Sequence, residues 1–446
     1  MTVSAPSAIK DYALLIDGRS VPAWSGKTFE TVSPTTNLPI GRVPLAGIAD
    51  ADLAVLAARR AFDDGPWPRW TPLERSRALH QVANLLRGRL DEIARLESHN
   101  CGKIIVESRA DVTASANCFE YYAGLATQLW GEQIPMNGPL LDYTLREPVG
   151  VCAQIVPWNF PLLMAAWKLA PALAAGNTLI LKPASATPLT AILLGELCRE
   201  AGIPNGVVNV VTGPGAEIGE AMVANPLVDK VAFTGETGTG SRIMSIAAGT
   251  IKKVSLELGG KSPNIVFPDA DIDEAVAGSL FAIYANAGQR CTARTRLFLH
   301  KDVYDRFTSD FVAKARQIRV GDPLEHETQM GPVISPAQRD RVLAYCAMAQ
   351  EDGARLLSGG QRVTSEELAA GNFVEPTVFG DVNSDMRLAQ EEVFGPILAV
   401  IPFETEDEVV RMANSTVYGL AATIWTRDIK RAHTCLLYTS PSPRDS

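Results

Sequence analysis

The stretch VCAQIVPWNFPLLMAAWKLAPALAAGNTLILKPASATP, residues 151–188, decides the fold. It holds the most apolar part of the chain, and its length would suit a membrane span, but Asn159, Lys168, Asn177 and three prolines interrupt it before Leu181. It reads instead as a buried strand, a helix and a second buried strand. Outward from it the rhythm continues. Short apolar runs at Val207 to Val211, Lys230 to Phe233 and Val254 to Leu258 join those at Val151 to Val156 and Thr178 to Leu181, with longer segments of helical character between them. Strands alternating with helices predict a mostly parallel, doubly wound α/β sheet, and such sheets bind ligands beyond the carboxyl ends of their strands. Lys182 follows one strand, Gly213 and Gly215 another, Thr234 and Gly235 a third.

Ahead of this region, Thr71, Pro72 and Glu74 make a capping box with proline at the first helical position. Leu79, Val82, Leu86, Leu90, Ile93 and Leu96 follow at helical spacing, so the first part of the chain is expected to be largely helical. A chain of 446 residues predicts two or three domains. The 41 basic and 50 acidic residues give a net charge of -9 with no long run of one sign, which argues against nucleic acid and anionic membrane as partners. Seven cysteines, at 101, 118, 152, 198, 291, 346 and 435, are scattered without a Cys-x-x-Cys pair. No metal site is expected, and a reducing, cytoplasmic setting fits best. The N-terminus, MTVSAPSAIKDYALLIDG, does not read as a signal peptide. The run CLLYTSPSPRDS, Cys435 to Ser446, changes character abruptly after an ordinary helix start at Thr426 to Thr434. We expect it to be foreign, encoded by a sequencing adapter at the end of a truncated reading frame, against the alternative of a natural tail rich in Ser and Pro.

Four constellations carry chemistry. In Gly288-Gln289-Arg290-Cys291-Thr292-Ala293 a cysteine stands beside a cation, a setting that favours the reactive thiolate, although an isolated cysteine is more often a buried small hydrophobe. In Leu256-Glu257-Leu258-Gly259-Gly260-Lys261 a carboxylate at a strand end precedes a glycine pair that lets another group approach closely. Glu257 there is either a general base or a surface residue before a turn. In Pro157-Trp158-Asn159-Phe160-Pro161 the amide of Asn159 is either an oxyanion donor or an ordinary turn residue. In Phe233-Thr234-Gly235-Glu236-Thr237-Gly238-Thr239-Gly240 a strand runs into a Gly/Thr-rich turn whose N–H groups suit a pyrophosphate, with a helix expected from Ser241. Neither this spacing nor that of Gly213, Gly215 and Gly219 is GxGxxG.

Taken in order, PWNFP, LKPASATP, FTGETGTG, LELGGKSP, GQRCTA and EEVFGP resemble the aldehyde dehydrogenase superfamily in sequence and spacing. The resemblance runs from Tyr12 to Thr434 and leans toward the betaine-aldehyde and broad-substrate branches. It implies a doubly wound cofactor domain over 1–124 and 148–257, a small β bridging arm over 125–147, and an α/β catalytic domain over 258–434. That last domain is expected to be incomplete, with 435–446 non-native. The implied reaction oxidises an aldehyde to an acid with NAD or NADP. Cys291 forms a thiohemiacetal and then a thioester, Asn159 and the Cys291 N–H hold the oxyanion, and Glu257 activates the hydrolytic water. Members that pass the acyl group to coenzyme A generally lack this Glu.

For the cofactor, the resemblance implies Lys182 at the adenine ribose, Glu392 at the nicotinamide ribose and Phe394 packed near it. Trp158, Gly215, Phe233, Thr234, Gly235 and Glu236 are implied alongside the dinucleotide. Ser185 replaces a glutamate common in NAD-preferring members, which removes a charge that would repel a 2′-phosphate. Glu236 replaces a commoner serine. Phe160, Met164 and Trp167 match the aldehyde tunnel, although an apolar core stripe would share their spacing. An aromatic pocket of that kind suits apolar aldehydes or a quaternary ammonium. The natural parent is expected to be a homodimer or homotetramer. A nitrilase-type cysteine hydrolase, a coenzyme A-acylating dehydrogenase and a non-catalytic relative are the rival readings.

Overall fold

The structure, a computed structural model, describes residues 9–438, with side chains to 435. Contacts divide the chain into two compact units. The first holds the chain to Val32, Pro39–Cys101 and Val106–Glu257; the second holds Ser33–Leu38, Gly102–Ile105 and the chain from Leu258.

The first unit is built on seven strands: β1 (Leu14–Ile16), β2 (Arg19–Val21), β3 (Val151–Ile155), β4 (Thr178–Lys182), β5 (Val208–Val210), β6 (Lys230–Thr234) and β7 (Lys253–Glu257). Their spatial order is β7-β6-β3-β4-β5-β1-β2. β3 to β7 run parallel, and the β1–β2 hairpin closes the far edge antiparallel to β5. Every apolar run expected as a strand is one. β3, β4 and β5 are buried along their whole length, as parallel strands covered on both faces must be. From β3 the chain steps one way to β4 and β5, then returns to lay β6 on the other side of β3. The reversal leaves a crevice beyond the carboxyl ends of β3 and β6, the place where doubly wound sheets take ligands.

Among the helices of this unit are α1 (Pro72–Gly88), α2 (Pro161–Ala174) and α3 (Thr237–Ala248). At α1 the Thr71 hydroxyl accepts from the Glu74 N–H at 3.3 Å and the Glu74 carboxylate accepts from the Thr71 N–H at 2.7 Å, a cap worth about 1 kcal/mol. Leu79, Val82 and Leu86 are fully buried beneath it. The single helical run expected through Leu96 is in fact two helices. Arg89 leaves the helical region at φ -117°, ψ 26°, and a new helix spans Leu90–Cys101. The first part of the chain is also less helical than expected. The β1–β2 hairpin and a three-stranded sheet of Lys10–Asp11, Thr28–Val32 and Pro39–Pro44 precede the helices. Among the described residues no helix is long and apolar enough to cross a membrane.

The second unit has six strands: β8 (Pro263–Val266), β9 (Arg296–His300), β10 (Arg355–Ser358), β11 (Thr377–Gly380), β12 (Ile397–Phe403) and β13 (Thr423–Trp425). Their order is β10-β11-β12-β9-β8-β13, parallel except for β10. Leu297, Phe298, Leu299, Phe307, Phe311 and Phe379 fill its core. The guanidinium of Arg296 is buried among them and donates to three carbonyls, Lys261 at 2.8 Å, Met412 at 3.0 Å and Ala413 at 2.6 Å, which offsets the cost of burying its charge. A last helix spans Ile429–Tyr438 and buries Cys435. The remainder of the Cys435 to Ser446 run lies outside the described residues.

Candidate active site

In the first unit, the residues singled out from sequence gather at the carboxyl ends of the parallel strands. Trp158, Asn159 and Phe160 follow β3, with Asn159 buried and Phe160 at the N-cap position of α2. A carboxylate that sequence reasoning missed braces this turn. Glu97, fully buried, accepts from the Leu162 N–H at 3.3 Å and from the Thr190 hydroxyl at 2.6 Å. Nothing in its local sequence distinguishes it, because its partners lie far along the chain. Met164 and Trp167 stand on α2, whose buried face is Leu162, Leu163, Ala165, Ala166, Leu169, Ala170 and Leu173. Trp167 is 52% exposed, so the stripe of Phe160, Met164 and Trp167 is not core packing.

Lys182 ends β4, buried, with its Nζ donating to the Pro183 carbonyl at 2.9 Å. Burial pushes its pKa down to about 8. An ammonium has three donors, so two remain open. It faces a π turn, Gly215–Gly219: a Cβ on Gly215 would stand 3.9 Å from the Lys182 Nζ, and one on Gly219 3.9 Å from its Cδ. The Ser185 hydroxyl donates to the Gly213 carbonyl at 2.8 Å. At the end of β6, Thr234 Oγ1 is buried with no hydrogen-bond partner, and a Cβ on Gly235 would meet the Phe233 ring at 2.5 Å. Glu236 is the exposed N-cap residue of α3, which starts at Thr237, four residues before the expected start. Its charge therefore complements the positive end of that helix, a physical account the sequence did not offer. A buried cation with open donors, an orphaned hydroxyl and small-residue turns at the sheet's reversal fit a dinucleotide.

Glu257 closes β7, half-buried, and its carbonyl accepts from the Gly235 N–H at 3.0 Å. Lys168 of α2 also bears on it. Burial pushes that lysine down to about 8 while the Glu257 carboxylate pulls the other way. The one charged residue in an otherwise apolar helix was the available signal, and sequence reasoning used it only against a membrane span.

In the second unit, Cys291 follows a turn in which three consecutive residues are left-handed: Asn286 at φ 49°, Ala287 at 52° and Gly288 at 71°. A Cβ on Gly288 would lie 2.1 Å from the Gly395 carbonyl, so only glycine fits there. Gln289, fully buried, holds the turn. Its Oε1 accepts from the Ile334 N–H at 2.8 Å, and its Nε2 donates to the Asn286 carbonyl at 3.1 Å. Such strain persists only where the surroundings over-determine it, and it concentrates at functional sites.

The glycine pair after Glu257 has the expected use. A Cβ on Gly259 would meet a Glu392 carboxylate oxygen at 2.2 Å, and one on Gly260 the Cys291 carbonyl at 2.7 Å; the Gly260 N–H donates to Glu392 at 3.2 Å. Phe394 is left-handed at φ 62°, with Gln338 Nε2 donating to the Val393 and Phe394 carbonyls at 3.0 and 2.8 Å.

Cys291 is half-buried, whereas five of the other six cysteines are buried and Cys118 is pushed up to about 11. The thiol of Cys291 also lies above its ordinary range. Burial is the largest cause and the Glu392 carboxylate adds to it, while the backbone N–H groups of Thr292 and Cys291 and the charge of Arg290 pull it down. Arg290 therefore acts in the expected direction but is outweighed.

The family model described as the aldehyde dehydrogenase family matches residues 21–438. The betaine aldehyde dehydrogenase of Bacillus subtilis (strain 168) is 47% identical over 421 residues, 94% of this chain and 86% of that protein. Among solved structures, the NAD-dependent aldehyde dehydrogenase of Sinorhizobium meliloti superposes with a TM-score of 0.95 at 42% identity, covering 97% of this chain and 86% of that one. The betaine aldehyde dehydrogenase of Staphylococcus aureus in complex with NAD+ gives 0.95 at 40% identity, covering 96% and 86%. This chain belongs to the aldehyde dehydrogenase family.

Proposed function

We propose that the chain oxidises an aldehyde to its carboxylic acid with NAD(P)+, through a covalent intermediate on Cys291. The observation that carries this reading is the presentation of Cys291, half-buried, at the end of a strained and braced turn in a chain of this family. The Cys291 thiol gives its proton to solvent water and its sulfur adds to the carbonyl carbon, forming a thiohemiacetal. The Asn159 amide and the Cys291 N–H donate to the oxygen that gains charge. NAD(P)+, when bound, supplies the acceptor for the hydride leaving that carbon. Glu257 takes a proton from water, whose oxygen attacks the resulting thioester; the C–S bond breaks, the Cys291 thiolate leaves, and the acid is released.

Lys182 holds the adenine ribose with its open donors, and Glu392 the ribose of the nicotinamide, with Phe394 packed near it. Trp158, Gly215, Phe233, Thr234, Gly235 and Glu236 line the remainder. Ser185 carries no charge to repel a 2′-phosphate, so NADP is accepted as well as NAD. Phe160, Met164 and Trp167 line the approach of the aldehyde. The exposed hairpin of Gln133–Ile134 and Asp142–Tyr143 serves as a bridging arm between copies in a homodimer or homotetramer, and seven scattered cysteines without a Cys-x-x-Cys pair suit a cytoplasmic setting.

The test follows absorbance of the reduced cofactor with short aliphatic aldehydes and each of NAD+ and NADP+. The wild type turns over with both cofactors and without coenzyme A, and Cys291→Ala abolishes the reaction. Turnover that survives in Cys291→Ala would overturn the reading.

A further inference from the structure

The reaction leaves one charge beside the nucleophile unused. The guanidinium carbon of Arg290 stands 5.5 Å from the centroid of the Phe281 ring, which is 65% exposed, so this head group lies against an open aromatic wall and not in the core. Arg290 Nε is shut off from solvent and has no hydrogen-bond partner, and among the described residues Arg290 makes no ion pair. Its neighbours differ. Arg294 Nε donates to the Thr423 hydroxyl at 2.9 Å and its Nη1 to the Thr292 carbonyl at 2.6 Å, and Arg296 is occupied by its three carbonyls. Those two guanidiniums are spent on backbone and side-chain partners of the fold, whereas the partner of the Arg290 head group is the Phe281 ring.

Resting on the aldehyde-oxidising reading, we propose that Arg290 sets the substrate class of this site: it receives the carboxylate of an aldehyde whose far end is a carboxylate, and it disfavours an aldehyde ending in a quaternary ammonium. With Nε shut off, the terminal Nη1–Nη2 edge of the stacked guanidinium is the one that can offer two parallel N–H donors to a carboxylate. Arg290 adjoins Cys291 in the chain and its charge bears on the thiol, so the substrate proposed to reach both has a short carbon chain. The opposite charge in the site, Glu392, accepts from the Gly260 N–H and bears on the Cys291 thiol, so it opposes a carboxylate at the sulfur and leaves the far end of the substrate to Arg290. A quaternary ammonium at the same place meets a like charge, the repulsive element that specificity needs. The chain thereby departs from the substrate in the names of its betaine aldehyde dehydrogenase relatives.

Two measurements test this. The first compares kcat/KM for succinic semialdehyde, pentanal and betaine aldehyde in the wild type, Arg290→Gln and Arg290→Lys. The wild type favours succinic semialdehyde over both others. Arg290→Gln lowers the ratio of succinic semialdehyde to pentanal roughly 10- to 100-fold, mainly through KM, and raises betaine aldehyde relative to pentanal; Arg290→Lys keeps part of the preference. The second needs neither cofactor nor turnover: the ratio of Cys291 alkylation rates by iodoacetate and iodoacetamide, in which any change of thiol pKa cancels. That ratio falls in Arg290→Gln. A wild type with no preference for the semialdehyde, or an alkylation ratio that Arg290→Gln leaves unchanged, overturns the proposal. If no aldehyde is oxidised by the wild type, the dehydrogenase reading fails, and the alkylation ratio still decides whether Arg290 meets an incoming carboxylate.

Discussion

Cys291 holds its proton more tightly than a free thiol, because burial and the Glu392 carboxylate together outweigh Arg290 and two backbone N–H groups. The thiolate is the reactive form, so a raised pKa means that reactivity is lost as pH falls and gained as it rises. Alkylation of the cofactor-free protein by iodoacetamide is expected to accelerate through neutral pH and to reach half its maximum above the value of about 8.5 for a free thiol. A half-maximum below that value contradicts this balance of charges. Residue chemistry of this kind was only partly legible in the sequence. GQRCTA placed Arg290 beside Cys291, but the weight of burial and of Glu392, about a hundred positions on, belongs to the folded chain. Glu97 and Lys168 were missed for the same reason: a carboxylate or an ammonium becomes informative once its burial is known.

The element that presents Cys291, the proposed nucleophile, is a left-handed turn held by one glutamine. Gln289→Ala removes side-chain bonds to the Ile334 N–H and the Asn286 carbonyl at a site with no exposure, so a loss of about 3 kcal/mol is expected from the shift in urea midpoint. A change within error would show that the turn holds itself. The periodic elements were easier to read. The five parallel strands, the Thr71 cap and helix α2 all follow from apolar runs and capping chemistry. The β1–β2 hairpin was overlooked although it turns on Asp17-Gly18 at φ 53° and 72°, the pair such turns prefer, because its strands are only three residues long. The break at Arg89 was marked only by Gly88, the last residue of α1, and a single glycine is also tolerated within a helix. The triple left-handed turn was invisible because Asn and Ala at positive φ are imposed by tertiary packing.

For the molecule as a whole, the exposed hairpin predicts assembly. Leu140, Leu141 and Leu145 lie open on or beside it, with Leu141 74% exposed, and apolar area of that kind is normally covered by a partner. Sedimentation is expected to give a dimer or tetramer, and Leu140→Asp with Leu141→Asp to shift it toward monomer; a wild type that sediments as a monomer at micromolar concentration contradicts the arm. The doubly wound sheet was legible from the alternation of apolar runs, because buried parallel strands leave a signature that few other arrangements share. The passages Ser33–Leu38 and Gly102–Ile105, which count with the second unit, were not legible, since a chain excursion of four to six residues has no compositional mark. The central claim is a covalent acyl group on Cys291 that Glu257 helps water to remove. Its most direct test is intact-protein and peptide mass spectrometry of Glu257→Gln after mixing with an aldehyde and NAD(P)+. The expected result is one equivalent of reduced cofactor in a single burst and the mass of the acyl group on the Cys291 peptide. Steady turnover without an adduct, or an adduct on another residue, would contradict it.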